Sequence, residues 1–178
     1  MSKNVFNFST KSICITALFT AMNVVMSSLR IPVLGGGLYL NDIVICIAAI
    51  LLNPIEAFIV GGLGAFLGDF FFYPVAMWYS FVIHGLQAVV ISVFAHYILK
   101  KHQAFSSAIG VTIGAIIMVA GYSLCKAFFY GTPEGALLKL PFQILQAALG
   151  AVLGMIICYP LKIRSIYEKM FIENKKDE

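Results

Sequence analysis

Along the chain, long apolar runs alternate with short polar breaks. Four runs are long: residues 12–29, 77–99, 106–130 and 140–161. Each reaches the roughly 20 residues that a helix needs to cross a bilayer, so each is expected to be a membrane helix. Between the first and second lie two shorter runs, 42–52 and 55–72, separated at Asn53-Pro54. Proline disfavours helical backbone at the residue before it, and Asn-Pro is a turn signal. The pair therefore reads as a hairpin, compactly tilted or re-entrant. The expected architecture is an all-α membrane protein with six transmembrane helices in a single domain over residues 1–178.

Composition agrees. Of 178 residues, 61% are hydrophobic and 11% charged, with a mean hydropathy of +0.94. That balance belongs to integral membrane proteins. The longest polar stretches are the first eleven residues and the tail from Lys162, too little for a soluble catalytic domain. The basic residues sit at segment ends rather than on one face, which argues against nucleic-acid binding. Lys3 and Lys11 precede an apolar run, but no small-x-small cleavage site follows, so this run reads as a first anchor. The four cysteines lie singly in four apolar segments and read as small buried apolar residues.

Charge sets an orientation. With a cytoplasmic N-terminus and six crossings, Lys3, Lys11, Lys100, Lys101, Lys162, Arg164, Lys169, Lys175 and Lys176 fall inside, and only Arg30, Lys126 and Lys139 fall outside. The positive-inside rule favours this arrangement, with both termini cytoplasmic. Small residues at helical spacing mark close helix packing: Ala17 and Ala21, then Gly61, Gly64 and Gly68, Gly110 and Gly114, and Gly150 and Gly154. The run GGLGAFLG is not a nucleotide loop, and no G-x-x-x-x-G-K-[ST] occurs, so no ATP site is expected on this chain.

The polar residues inside the apolar runs cluster at one depth. Ser80, His84 and Gln87 share one face of the fourth helix in its outer half. Tyr122 and Lys126 fall in the outer third of the fifth, and Gln143 and Gln146 in the first two turns of the sixth. Each has a plainer reading: Lys126 snorkelling, the glutamines as interhelical glue, His84 as a bundle histidine, Trp78 and Tyr79 as belt aromatics, although Trp78 is also a site candidate, able to lid a pocket. Independent polar residues would not all choose one depth, however. Together they suit a small, flat, polar ring. Asp42 and Asp69 sit at helix ends, where capping or loop pairing is the default. The loop 30–42 is glycine-rich and suited to act as a lid, which adds Tyr39 and Asn41 as site candidates. No carboxylate pair, metal cluster or nucleophile–base set stands at useful spacing; neither enzyme activity nor a cofactor is expected. A stand-alone permease needs polar groups along both halves of its path, whereas here the inner half is almost purely apolar.

These features, and the hairpin LNDIVICIAAILLNPIEAFIVGGLGAFLGDFF in particular, resemble the substrate-binding S components of energy-coupling factor (ECF) vitamin importers, in the riboflavin-type branch that includes carriers of hydroxymethylpyrimidine and pyridoxine. The resemblance implies a multi-pass protein of the bacterial plasma membrane that captures a small vitamin near the outer face, through the first loop and helices four to six. It implies partners too: a transmembrane coupling subunit, contacted through Ala17 and Ala21, and two ATPase subunits that drive toppling of the S component in the bilayer. A hydroxymethylpyrimidine or pyridoxine type of substrate is expected, with riboflavin or another vitamin as the alternative. A self-sufficient permease and a purely structural membrane subunit are the rival readings.

Overall fold

The computed structural model describes residues 9–171; of the charges used to orient the chain, Lys3, Lys175 and Lys176 lie outside them. Helix α1 (Thr10–Ser28) is capped by Ser9, whose hydroxyl accepts from the Ser12 amide. It leads into strands β1 (Arg30–Val33) and β2 (Gly36–Tyr39), paired antiparallel with Arg30 opposite Tyr39. The glycine-rich stretch expected as a loop is thus a β-hairpin, a small exception to an all-α fold. Its turn needs glycine at 35, where φ is +78° and a Cβ would stand 2.9 Å from the Lys139 backbone nitrogen.

Helix α2 (Asn41–Leu51) follows, then α3 (Pro54–Phe72), started by Asn53 in a capping box with Glu56. After a 3₁₀ turn at Pro74–Ala76 comes α4 (Met77–His96), then α5 (Gln103–Cys125), which runs on through a π turn to Tyr130. Helix α6 (Pro133–Cys158) is capped by Thr132, and a short helix α7 (Ile163–Phe171) closes the described chain. Helices α1, α3, α4, α5 and α6 are long and apolar enough to span a membrane. At eleven residues α2 is about 16 Å long, roughly half of a hydrocarbon core. Nine of its residues are buried, so it is sheathed by other helices rather than by lipid. Large apolar side chains such as Leu18, Val25, Phe71, Ile116, Phe128 and Val152 point outward over the rest of the surface.

Ile45, Ala48, Ala49 and Ile50 of α2 form the core with Val60, Ala88, Ile91 and Val111. Close approach depends on small residues. A Cβ on Gly150 would stand 2.7 Å from that of Asp42, and one on Gly154 2.8 Å from that of Cys46, which seats α6 directly on α2. In α3 a π turn at Ile59–Leu63 widens the helix, and Asn23 of α1 donates to the Val60 carbonyl there at 2.7 Å. Gly64 and Gly68 face Asn23 and Ser27 of α1, while Gly61 faces α4.

Three sequence expectations change. Helix α6 begins seven residues before 140, because Thr132-Pro133 is a strong start signal although Glu134 and Lys139 dilute the hydropathy. Arg164, expected in a solvated tail, is 5% exposed and donates to the Ala95 carbonyl, the Tyr159 hydroxyl and Glu168. Cys14 is exposed rather than buried, while all four cysteines are free.

Candidate functional site

A cavity opens beneath the hairpin, between α2, α3, α4, α5 and α6, with about 450 Å³ of space between its walls, its mouth included. Its lining includes Tyr39, Asn41, Asp69, Tyr73, His84 and Tyr122 with Tyr130, Lys139, Gln143 and Gln146. Six of the ten site residues expected from the sequence therefore share one cavity: Tyr39, Asn41, His84, Tyr122, Gln143 and Gln146.

The walls are built from a buried polar network. Asp42 is 1% exposed; Gln87 Nε2 donates to its Oδ1 at 3.0 Å and Gln146 Nε2 donates to its Oδ2. Gln146 Oε1 accepts from the Tyr39 amide at 3.0 Å, tying α6 to the hairpin. His84 Nδ1 lies 2.7 Å from Gln87 Oε1 and 3.8 Å from Asp42 Oδ1. Because Gln87 spends its amide hydrogens on Asp42, its oxygen accepts, and His84 Nδ1 carries the donated proton. His84 Nε2 is left for another partner. One turn earlier on α4, Ser80 bonds both Asp69 and Tyr122. Since the Ser80 proton goes to the carboxylate, Tyr122 donates to Ser80. Asp69 therefore lines the cavity and Asp42 anchors the network behind its wall, rather than either capping a helix, and α2 starts without a side-chain cap.

Two atoms at the cavity have no partner among the described residues: Asn41 Oδ1, an acceptor, and Gln143 Nε2, a donor. Asn41 is 5% and Gln143 1% exposed. A buried polar group left unpaired costs about 1–3 kcal/mol, so their persistence marks positions that a ligand would satisfy. Above them Lys139 Nζ stands 5.8 Å from the centre of the Tyr39 ring and 5.9 Å from that of Tyr122. Burial pushes the Tyr39 phenol up to about 12, so it stays protonated and can donate.

The remaining candidates lie elsewhere. Ser80 and Gln87 are fully enclosed behind the wall. Lys126 donates to the Gly35 carbonyl and holds the hairpin turn. Trp78 is 64% exposed and packs on Phe66 at 5.0 Å, outside the cavity. Phe66 in turn stacks with Phe70, which meets Phe71 edge-on, and this outward cluster belongs to an aromatic belt. Ala17 and Ala21 do not pack inside the bundle: both are exposed, beside an apolar groove between α1 and α3.

Sequence reasoning missed Asp69, Tyr73, Tyr130 and Lys139. The signal for Lys139 was present: Lys139, Gln143, Gln146 and Gly150 recur at steps of four, three and four, one stripe of a helix. Starting the helix at 140 hid its first member. The same correction deepens Gln143, ten residues past Pro133, to about 15 Å along the helix rather than its first turns.

A profile described as the ECF-type riboflavin transporter S component matches residues 7–163. An uncharacterised protein of Pyrococcus woesei is 32% identical over 146 residues, covering 81% of this chain and 96% of that protein. A protein of Lactococcus lactis named thiamine precursor transporter HmpT is 28% identical over 156 residues, covering 85% and 87%. Spanning helices, a polar cavity at one end of the bundle and a profile match over most of the length agree: the chain is a multi-pass membrane protein belonging to the riboflavin-type S component family of ECF transporters, a transporter subunit and not an enzyme.

Proposed function

We propose that this chain captures a small single-ring vitamin or vitamin precursor of the hydroxymethylpyrimidine or pyridoxine type at the outer face of the cell membrane. The observation that carries this reading is the pair of unpaired, buried atoms, Asn41 Oδ1 and Gln143 Nε2, facing one confined cavity. They supply an acceptor and a donor, His84 Nε2 a further polar group, and Tyr39 and Tyr122 aromatic surface. A heteroaromatic ring with amino or hydroxyl substituents matches that set. The space between the cavity walls is narrow, which favours one ring over the three fused rings of riboflavin. The name of the Lactococcus lactis relative points the same way.

In this reading the hairpin end faces outward, both termini lie inside, and α2 with the five long helices makes six crossing segments. Release occurs on the other side after the protein topples with a coupling subunit, seated on the α1 face at Ala17 and Ala21, and two ATPase subunits. The polar network ends at Gln87, and below it the core around α2 is apolar, so no path continues inward through the bundle.

The test is calorimetry on the purified chain in lipid nanodiscs with hydroxymethylpyrimidine, pyridoxine and riboflavin. Saturable one-to-one binding of a single-ring vitamin supports the reading, and silence with all three overturns it. Vesicles supply the second test: uptake is expected only with the coupling and ATPase subunits present, whereas uptake by the chain alone would establish a stand-alone permease.

A further inference from the structure

The cavity holds charges of both signs that, among the described residues, form no direct ion pair. Lys139 and Asp69 both line it, yet among the described residues no carboxylate oxygen comes within 4.0 Å of Lys139 Nζ. Tyr122 stands between them. Its hydroxyl bonds Ser80, which also bonds Asp69, while its ring lies under the Lys139 ammonium at 5.9 Å. Ser80 occupies one oxygen of Asp69, and among the described residues nothing donates to the other. Lys139 likewise has aromatic faces as its neighbours in place of a counter-ion.

A ligand that displaces water from this cavity leaves both charges in a medium of low dielectric. An uncharged ring would desolvate them without compensation, which is unfavourable for each buried ion. A net anion would satisfy Lys139 and repel Asp69; a net cation would do the reverse. The ligand that offsets both terms carries separated charges of its own.

We propose that the Asp69–Lys139 arrangement selects a zwitterionic hydroxypyridine: a six-membered ring whose protonated nitrogen turns to Asp69 and whose deprotonated ring hydroxyl turns to Lys139. Charge-assisted hydrogen bonds at both edges orient the ring, and Asn41 and Gln143 take its remaining substituents. A neutral aminopyrimidine fits the same outline but leaves Lys139 without an anionic partner. The inference rests on the vitamin-capture reading and narrows its substrate class.

The experiment compares ligands on the unmodified chain in nanodiscs, so its outcome does not depend on any variant folding. Pyridoxine, its analogue lacking the 3-hydroxyl and hydroxymethylpyrimidine are titrated by calorimetry. Pyridoxine is expected to bind at least about tenfold more tightly than the deoxy analogue, a single charged hydrogen bond's difference. Bound pyridoxine is expected to keep the ultraviolet band of the zwitterion. Lys139→Met should bring the two affinities to within about threefold of each other, and Asp69→Asn should weaken pyridoxine more than the aminopyrimidine. Equal binding of all three rings to the unmodified chain, or the neutral-form spectrum when bound, overturns the charge pairing and leaves vitamin capture standing. Absence of binding by every ring overturns the capture reading itself.

Discussion

The two ends of the bundle handle buried polar groups in opposite ways. At the end away from the hairpin, polar side chains close on one another. Arg164 Nη2 donates to the Ala95 carbonyl at 3.1 Å and Nη1 to the Tyr159 hydroxyl at 2.7 Å. Ser92 donates to the Leu52 carbonyl at 2.7 Å, and Ser106 to that of Phe94 at 2.6 Å. Glu56 takes the Ser12 hydroxyl and completes the Asn53 capping box. At the hairpin end the network closes only behind the wall, at Asp42, Gln87 and Ser80. Its front row ends on Asn41 Oδ1 and Gln143 Nε2, both without partners among the described residues. Polar groups in a membrane serve either to hold helices together or to meet something that arrives. The difference lies in whether their bonds are already made.

Variants at each end break this contrast in distinct ways. The largest effect is expected at Asp42. Asp42→Ala removes the acceptor for both Gln87 and Gln146, each a charged hydrogen bond worth about 1.5–3 kcal/mol. It also loosens the two glutamines that hold the His84 ring and the Tyr39 amide, so ligand affinity should fall about a hundredfold or more by calorimetry. Retained affinity would show that the network behind the wall does not shape the site. Arg164→Met should act oppositely. Loss of its three bonds is expected to cost about 2 kcal/mol of stability, read as a lower unfolding midpoint, while affinity changes by less than about threefold.

Gly61→Val bridges the two ends. A Cβ there would stand 2.5 Å from the His84 carbonyl and 2.7 Å from the Ala88 Cβ. The clash should cost about 1–3 kcal/mol and, by shifting α4, also weaken binding several-fold; loss of stability alone would mean that His84 tolerates displacement. Trp78→Ala sets the lower bound. Trp78 faces outward from α4, so calorimetry should find affinity within about twofold of the parent. A large loss would bring the aromatic belt into the site.

The depth of the site was legible in the sequence because membrane solvation is strict. A polar residue in an apolar run needs a partner or an aqueous cavity, so the recurrence of Ser80, His84 and Gln87 at helical spacing carries information about one face. Trp78 shows where that logic stops. Periodicity places a side chain on a helix face, but 77–99 has both lipid-facing and bundle-facing aromatics, and neighbouring helices decide between them. Asp42 and Asp69 show the converse: by position they read as helix-end residues, and only the approach of α4, α5 and α6 turns them into network members.

What the sequence alone determined is the membrane class, the apolar segments and the end at which polar groups concentrate. These follow from transfer free energies and helix periodicity, which act residue by residue. The tertiary structure decided which atoms meet. It put α2 at the centre, carried Lys139 into the cavity on an early start of α6, and gave Asp42 two amide donors from helices remote in sequence. Such contacts depend on how closely glycines such as Gly150 let two backbones approach, a distance that no single segment encodes.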